Sequence, residues 1–265
     1  MRKTLPILLA VYALLTVGLQ YLSNAGIKFP FYLYPLSTLL GFLIALFHAA
    51  TRFKWTRALW LLGSAFVISL AFESVGVLTG LIYGPYHYTD KLGRLFLGLV
   101  PLIIPIAWFM MMYPSFVIAD WIVPGKANSR PVWVAAAGAM VMTAWDVVMD
   151  PVMVKVGHWV WEVNGPYFGI PLQNFFGWWL TTFVAFIVFI WLGKPLLHDR
   201  SDLQLDKMTV ILFFLFHRAG KRHGRLVGRF GRRRPGRHLC RLALDDFRLA
   251  ENDGMKPDPC ANSSC

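Results

Sequence analysis

The feature that most constrains this chain is a succession of long apolar runs separated by loops. A helix needs about 20 mostly apolar residues to cross ~30 Å of hydrocarbon. Six stretches approach or exceed that length: Leu5–Leu22, Phe31–Ala50, Ala58–Ile82, Phe96–Trp121, Val132–Met149 and Phe175–Leu192. In lipid every backbone N–H and C=O must be satisfied within the segment, and a helix does this. The expected fold is therefore all-α: a polytopic transmembrane helix bundle of about six complete spans. Composition agrees, since 57% of the 265 residues are hydrophobic and only 15% are charged, against about 25% charged in a soluble domain. Arg2 and Lys3 precede the first run as they would a signal peptide. The run continues for a full span with no convincing small-residue cleavage site, so it reads as a retained first helix.

Orientation follows from the short loops, because Lys and Arg accumulate on the cytoplasmic side. One side carries Arg2, Lys3, Arg52, Lys54, Arg57, Lys126, Arg130, Lys194 and Arg200; the other carries Lys28, Lys91, Arg94 and Lys155. This bias puts the N-terminus in the cytoplasm of a multi-pass cell-membrane protein. The loops around 83–95 and 151–174 then face outward.

Two regions differ in character: a transmembrane helical domain over 1–216 and a basic tail over 217–265. The tail holds 12 Lys and Arg against 5 Asp and Glu, with little apolar periodicity, a composition expected to be disordered in isolation. Before it lies Met208–Phe216, an apolar run too short to span, which reads as a truncated seventh helix. Three readings of the tail stand open: out-of-frame or truncated sequence, a solvated cytoplasmic tail, or a basic arm for anionic lipid or nucleic acid. Cys240, Cys260 and Cys265 all lie there, so no disulfide framework or Cys-ligated metal site supports the membrane body.

An ionisable side chain inside a span is costly and points to function. Glu73 lies in the third run, and Asp146 and Asp150 lie in the fifth. The aspartates are four apart, which stacks them on one helical face, and Pro151 follows where the helix should end. The third and fifth runs cross in the same direction, so all three acids fall in the outer half. Two carboxyls close together in a poorly solvated site rarely both ionise, and a neutral acid beside an ionised one suits general acid/base work. The plainer reading is a turn cap, or pairing with Arg94, Lys155 or His158.

The outward loops are dense in aromatics. Tyr83-Gly-Pro-Tyr-His-Tyr88 and the segment from His158 through Trp161, Tyr167 and Pro171 to Asn174 combine Gly-Pro turns with rings. An interfacial aromatic belt explains some of this, Trp178 and Trp179 especially. A long apolar loop between the fifth and sixth spans reads better as a re-entrant or lid segment packed on protein. His87 and His158 are candidate proton shuttles or structural hydrogen-bonding residues. No Gly-rich phosphate loop, His-Glu-x-x-His motif, nucleophile elbow, fixed-period repeat or mid-span Lys occurs.

Four blocks carry a family resemblance: Phe72-Glu-Ser-Val-Gly-Val-Leu-Thr-Gly80 with Tyr83–Tyr88; Leu99–Trp108 with Met110–Tyr113; Ala144–Pro151; and Gly165–Pro171 leading into Asn174–Trp179. In order and spacing, over about Leu5 to Leu192, they resemble the membrane carotenoid hydratases. That family includes bisanhydrobacterioruberin hydratases and gamma-carotene 1,2-hydratases. Past about Phe216 the chain departs from the family's pattern, which continues with further membrane segments.

The resemblance implies hydration of a terminal isoprenoid double bond in an acyclic or monocyclic carotenoid, giving a tertiary alcohol. Protonating such an alkene needs a neutral acid in a dry pocket, a route for water and a base. Asp146 or Asp150 would donate the proton, with Glu73 the candidate base. Tyr83, Tyr86, His87, Trp145, His158, Trp161, Tyr167, Asn174 and Trp178 would line the substrate site. No cofactor or metal is required. The implied partners are a carotenoid substrate, membrane lipid and other carotenoid biosynthesis enzymes, with no nucleic acid expected. Two other classes compete. An intramembrane prenyltransferase would use Asp146-x-x-x-Asp150 to hold Mg and a diphosphate, but a second Asp-rich motif is missing. A non-catalytic carotenoid- or lipid-binding membrane protein, or a small transporter, would need only the apolar surfaces.

Overall fold

A computed structural model describes residues 5–24, 33–125, 127–195, 197, 207, 210 and 211. Six helices dominate: α1 (Leu5–Asn24), α2 (Leu33–Phe53), α3 (Trp55–Thr79), α4 (Ile103–Ile122), α5 (Arg130–Val156) and α6 (Leu172–Gly193). Four short strands lie in the loops at one end: β1 (Tyr86–Tyr88), β2 (Leu95–Phe96), β3 (Val100–Pro101) and β4 (Trp159–Trp161). The protein is an all-α membrane helix bundle. Large apolar side chains such as Val67, Leu78, Met140 and Trp191 face outward from it, as they do where the solvent is lipid rather than water.

Among the described residues five helices, α2 to α6, are long and apolar enough to cross a membrane; α1 runs for 20 residues, Leu5–Asn24, and is apolar over its described part, Pro6–Gly18. The fourth helix begins later than Phe96. Residues 95–101 form a β2–β3 hairpin with Leu95 opposite Pro101, and α4 starts at Ile103. Periodicity does not separate a short apolar strand from the first turn of an apolar helix. The tail, its cysteines and the Met208–Phe216 stub lie outside the described residues, except for Val210 and Ile211.

α4 is the central element. Its apolar window is 72% buried, against 33% in α3 and in α6, and it packs on α2, α3 and α5. α6 closes the other side of the bundle against α3 and α5. Glycines end two of the helices that carry acids. Gly80 and Gly157 take left-handed φ values of 68° and 72° at the C-caps of α3 and α5, a conformation that glycine adopts without a Cβ penalty. Chain alternation places the C-terminal ends of α3 and α5 beside the N-terminal ends of α4 and α6. The four ends define one pole of the bundle.

The opposite pole holds a buried ion pair at the α4–α5 turn. Arg130 Nη1 donates to Asp120 Oδ1 at 2.8 Å, and Nη2 donates to the Asp120 and Val123 carbonyls at 2.7 and 3.0 Å. Nε reaches the Val123 carbonyl at 3.2 Å. Arg130 thus acts as a C-terminal clamp on α4, where unsatisfied carbonyls and the helix dipole both favour a cation.

Candidate functional site

Glu73 sits in the last third of α3 and is buried. Three donors converge on its carboxyl. The Tyr86 hydroxyl and the Tyr88 hydroxyl (2.8 Å) donate to Oε2, and Trp108 Nε1 of α4 donates to Oε1 at 3.0 Å. The two phenols reach one oxygen because strand side chains alternate. Tyr86 and Tyr88 face α3, while His87 between them turns outward and meets Glu162 at 3.2 Å on the surface. Burial first, and then the nearby Glu73 carboxyl, pushes both phenols well above the ordinary tyrosine range, so they remain donors.

The second station lies on α5. Asp146 and Asp150 are 0% and 1% exposed, one turn apart as their spacing predicts. Asn174, in the first turn of α6, joins them. Its Nδ2 donates to Asp146 Oδ2 at 2.9 Å and to Asp150 Oδ2 at 2.8 Å. An amide NH2 carries two hydrogens, one for each aspartate. Asp150 Oδ1 accepts from Trp159 Nε1 of β4 at 2.8 Å. Asp146 Oδ1 is buried with no hydrogen-bond partner among the described residues.

A strand pair covers both stations. β1 and β4 are antiparallel, with Tyr86 opposite Trp161 and Tyr88 opposite Trp159. Tyr-x-Tyr and Trp-x-Trp therefore present their rings on one face, where Tyr86 packs on Trp161 and Tyr88 on Trp159. The loop between the fifth and sixth helices is in this sense a lid, strapped to the loop between α3 and α4 by backbone pairing. Lys91 helps to fasten it: its Nζ donates to the Val156 carbonyl at 2.6 Å at the end of α5. Beside the strands a cleft of about 390 Å³ is lined by Val154, Trp159, Val160, Trp161, Glu162, Val163, Asn164 and Gly169. It brings the outer surface close to the indole that holds Asp150.

Tyr83 lies between the stations and is fully enclosed. Its hydroxyl meets Thr181 Oγ1 at 2.7 Å, and its ring is wedged between α3 and α6. A Cβ on Gly76 would lie 2.6 Å from that ring, and one on Gly177 would lie 2.5 Å away. Burial, with the Glu73 and then the Asp146 carboxyl nearby, pushes this phenol well above its ordinary value. Trp178 stacks on Trp108 at 4.1 Å and tilts against Trp145 at 6.0 Å. An aromatic wall thus runs from the donor of Glu73 to the residue preceding Asp146.

Tyr167 has a backbone partner. Pro151 lacks an N–H, so the Val147 carbonyl four residues back has no helical donor, and the Tyr167 hydroxyl donates to it at 3.0 Å. An unsatisfied buried carbonyl costs about 1–3 kcal/mol, so this contact lets α5 continue past Pro151 to Val156. Gly165 permits the loop that delivers Tyr167, since a Cβ there would fall 2.1 Å from the Ile170 backbone. His158 is half-buried in the turn after α5. Burial, and then the Lys91 ammonium, lowers its pKa, which favours the neutral ring.

Of the residues singled out from sequence, Glu73, Asp146, Asp150, Tyr83, Tyr86, Trp145, Trp161, Asn174 and Trp178 gather at one pole. His87 points away from it, and His158 and Tyr167 sit at its edge. Tyr88, Trp108, Trp159 and Thr181 also belong to the network, though sequence did not single them out for roles. The period-two alternation around His87 and Val160 is the signal that could have found Tyr88 and Trp159. Trp108 carries no such signal within an apolar helix. Among the described residues no three His, Cys, Asp or Glu side chains converge as a metal site. What the arrangement offers is two buried carboxyl stations, a row of aromatic faces and a covered, nearby surface.

A family model described as carotenoid biosynthesis protein matches residues 33–221. The chain is 35% identical over 121 residues to a bisanhydrobacterioruberin hydratase of Haloarcula japonica. That alignment takes in 46% of this chain and 41% of the relative's length. No solved structure matches the chain.

Proposed function

The chain belongs to the carotenoid biosynthesis protein family, and on that premise we propose that it hydrates a terminal isoprenoid C=C bond of an acyclic or monocyclic carotenoid. The observation that carries this reading is the pair of buried carboxyl stations at one pole of a membrane bundle, faced by Trp108, Trp178 and Trp145. The relative named a hydratase supports the same chemistry. Hydrating a trisubstituted alkene passes through a tertiary carbocation. A proton must arrive in a place dry enough to make it a strong acid, and water must follow at one carbon only. The Asp146–Asp150 pair supplies the proton, the indole faces stabilise the cation, and Glu73 receives the proton that the captured water loses. A long polyene partitions into lipid, so its end group reaches this pole from the membrane.

Expression in a host that makes an acyclic carotenoid tests the proposal. The pigment is expected to gain the mass of one water per reacted end. Unchanged pigment, with the protein inserted, would overturn it. In this reading the protein sits in the cell membrane with its N-terminus in the cytoplasm, so the acid pole faces outward. An impermeant thiol reagent is then expected to label a cysteine placed at Asp90 and spare one placed at Asn128; the reverse pattern inverts the topology.

A further inference from the structure

We propose that within the aspartate pair Asp146 carries the proton on Oδ1 and delivers it to the alkene, while Asp150 is its fixed, acceptor-only partner. This assignment rests on the hydration reading above and deepens it. Both oxygens of Asp150 already face donors that cannot reverse as they are placed: the Trp159 indole N–H on Oδ1 and the Asn174 amide on Oδ2. An indole nitrogen never accepts, so Trp159 offers a proton on Asp150 Oδ1 nowhere to go and favours the ionised, accepting form of that oxygen. Asp146 differs. Its Oδ2 takes the second hydrogen of the same amide, and its Oδ1 is buried with no partner among the described residues.

A buried polar atom without a partner needs an explanation. As a carboxylate oxygen it would be an acceptor with nothing to accept. As an O–H it is a donor whose partner is the substrate, since the π cloud of an alkene accepts a proton. Asn174 therefore divides the roles: one amide fixes both Oδ2 atoms and leaves one oxygen, on one residue, for chemistry. Trp145, the neighbour of Asp146, and Trp178, which tilts against it, put ring faces beside that oxygen's helix.

The step balances without a co-reactant other than water. The Asp146 O–H bond breaks and a C–H bond forms at the less substituted alkene carbon, leaving the positive charge on the tertiary carbon. A water oxygen bonds to that carbon, and the resulting oxonium gives one proton to Glu73. Exchange with solvent water moves a proton from Glu73 back to Asp146. The net change is one water added.

Both amide variants of the pair are expected to lose hydration, so activity alone does not divide the roles; infrared spectroscopy does. In the detergent-purified full chain, the C=O stretch of a protonated carboxyl buried away from solvent is expected in the wild type. It should vanish in Asp146→Asn, persist in Asp150→Asn, and shift in position but remain in Asp146→Glu, which guards against misfolding of the asparagine variant. A band that vanishes with Asp150→Asn and persists in Asp146→Asn overturns the assignment alone. Absence of hydrated pigment from the wild type overturns the hydration reading, and the donor role with it, whichever residue the band follows.

Discussion

Asp146→Asn is expected to leave a fully inserted protein and to reduce hydrated pigment per inserted molecule by at least ~100-fold, the low end of what positioned acid/base groups contribute. Asp150→Asn and Glu73→Gln are expected to lose as much, but their structural costs differ, and the hydrogen bonds say how. At Asp146 only Oδ2 is engaged. The new NH2 can take the place of Oδ1 and clash with no donor, so this is the cleanest of the three changes. At Glu73 the amide can keep its oxygen toward Trp108 Nε1 and turn its nitrogen toward the tyrosines, whose hydroxyls accept as well as donate. At Asp150 both oxygens face N–H groups, so an amide nitrogen must oppose one of them, and some thermal stability goes with the activity. A merely structural role predicts another ranking, in which activity falls in proportion to stability and Asp146→Asn is nearly harmless. Near-normal hydration in all three well-folded variants would remove the carboxylates from the mechanism.

That ranking also marks where sequence was informative. The spacing of Asp146 and Asp150, and the direction in which their helix crosses, were enough to place both near Glu73 at one end. Length and apolarity were enough to find the six long helices. What sequence withheld were relations across the chain. In the run from Phe96 to Pro101 apolarity alone does not distinguish a hairpin from helix; Gly98, at φ 73°, and Pro101 are the residues that mark the turn. Nothing near Asn174 announces that one amide serves two aspartates 28 and 24 residues away. Tyr167 sits in a Gly-Pro-Tyr turn, and nothing in that turn shows that its hydroxyl meets the Val147 carbonyl. Its partner follows from Pro151, but only once the loop is known to fold back on α5. His87 and Tyr88 were separable in principle, since residues on a strand alternate faces, but that required knowing that the segment is a strand. Tertiary hydrogen bonds between loops are the part of a membrane protein that hydropathy does not encode.

The far pole gives the sharpest contrast, because there a large effect is expected with no chemistry involved. Arg130, counted from sequence among the loop cations that set topology, is 4% exposed, and Asp120, which sequence did not single out, lies beside it at 2.8 Å. The guanidinium makes four hydrogen bonds, one to the Asp120 carboxyl and three to carbonyls at the end of α4. Breaking a buried ion pair by removing one partner typically costs about 3–5 kcal/mol, since a charge stays behind in a poor solvent. Arg130→Met is therefore expected to lower the thermal midpoint in detergent and the yield of inserted protein. Hydration per surviving molecule should stay close to normal, because the carboxyl stations lie at the other end of the bundle. Arg130→Lys should recover only part of the loss, since an ammonium cannot reproduce the planar fork that serves Asp120 and Val123 together. The double change Asp120→Asn with Arg130→Met should cost less than the two single changes added, because removing both partners strands no charge. If Arg130→Met instead proves as stable as the wild type while hydration collapses, this pole belongs to the reaction, and the division of the bundle into a chemical end and a structural end is wrong.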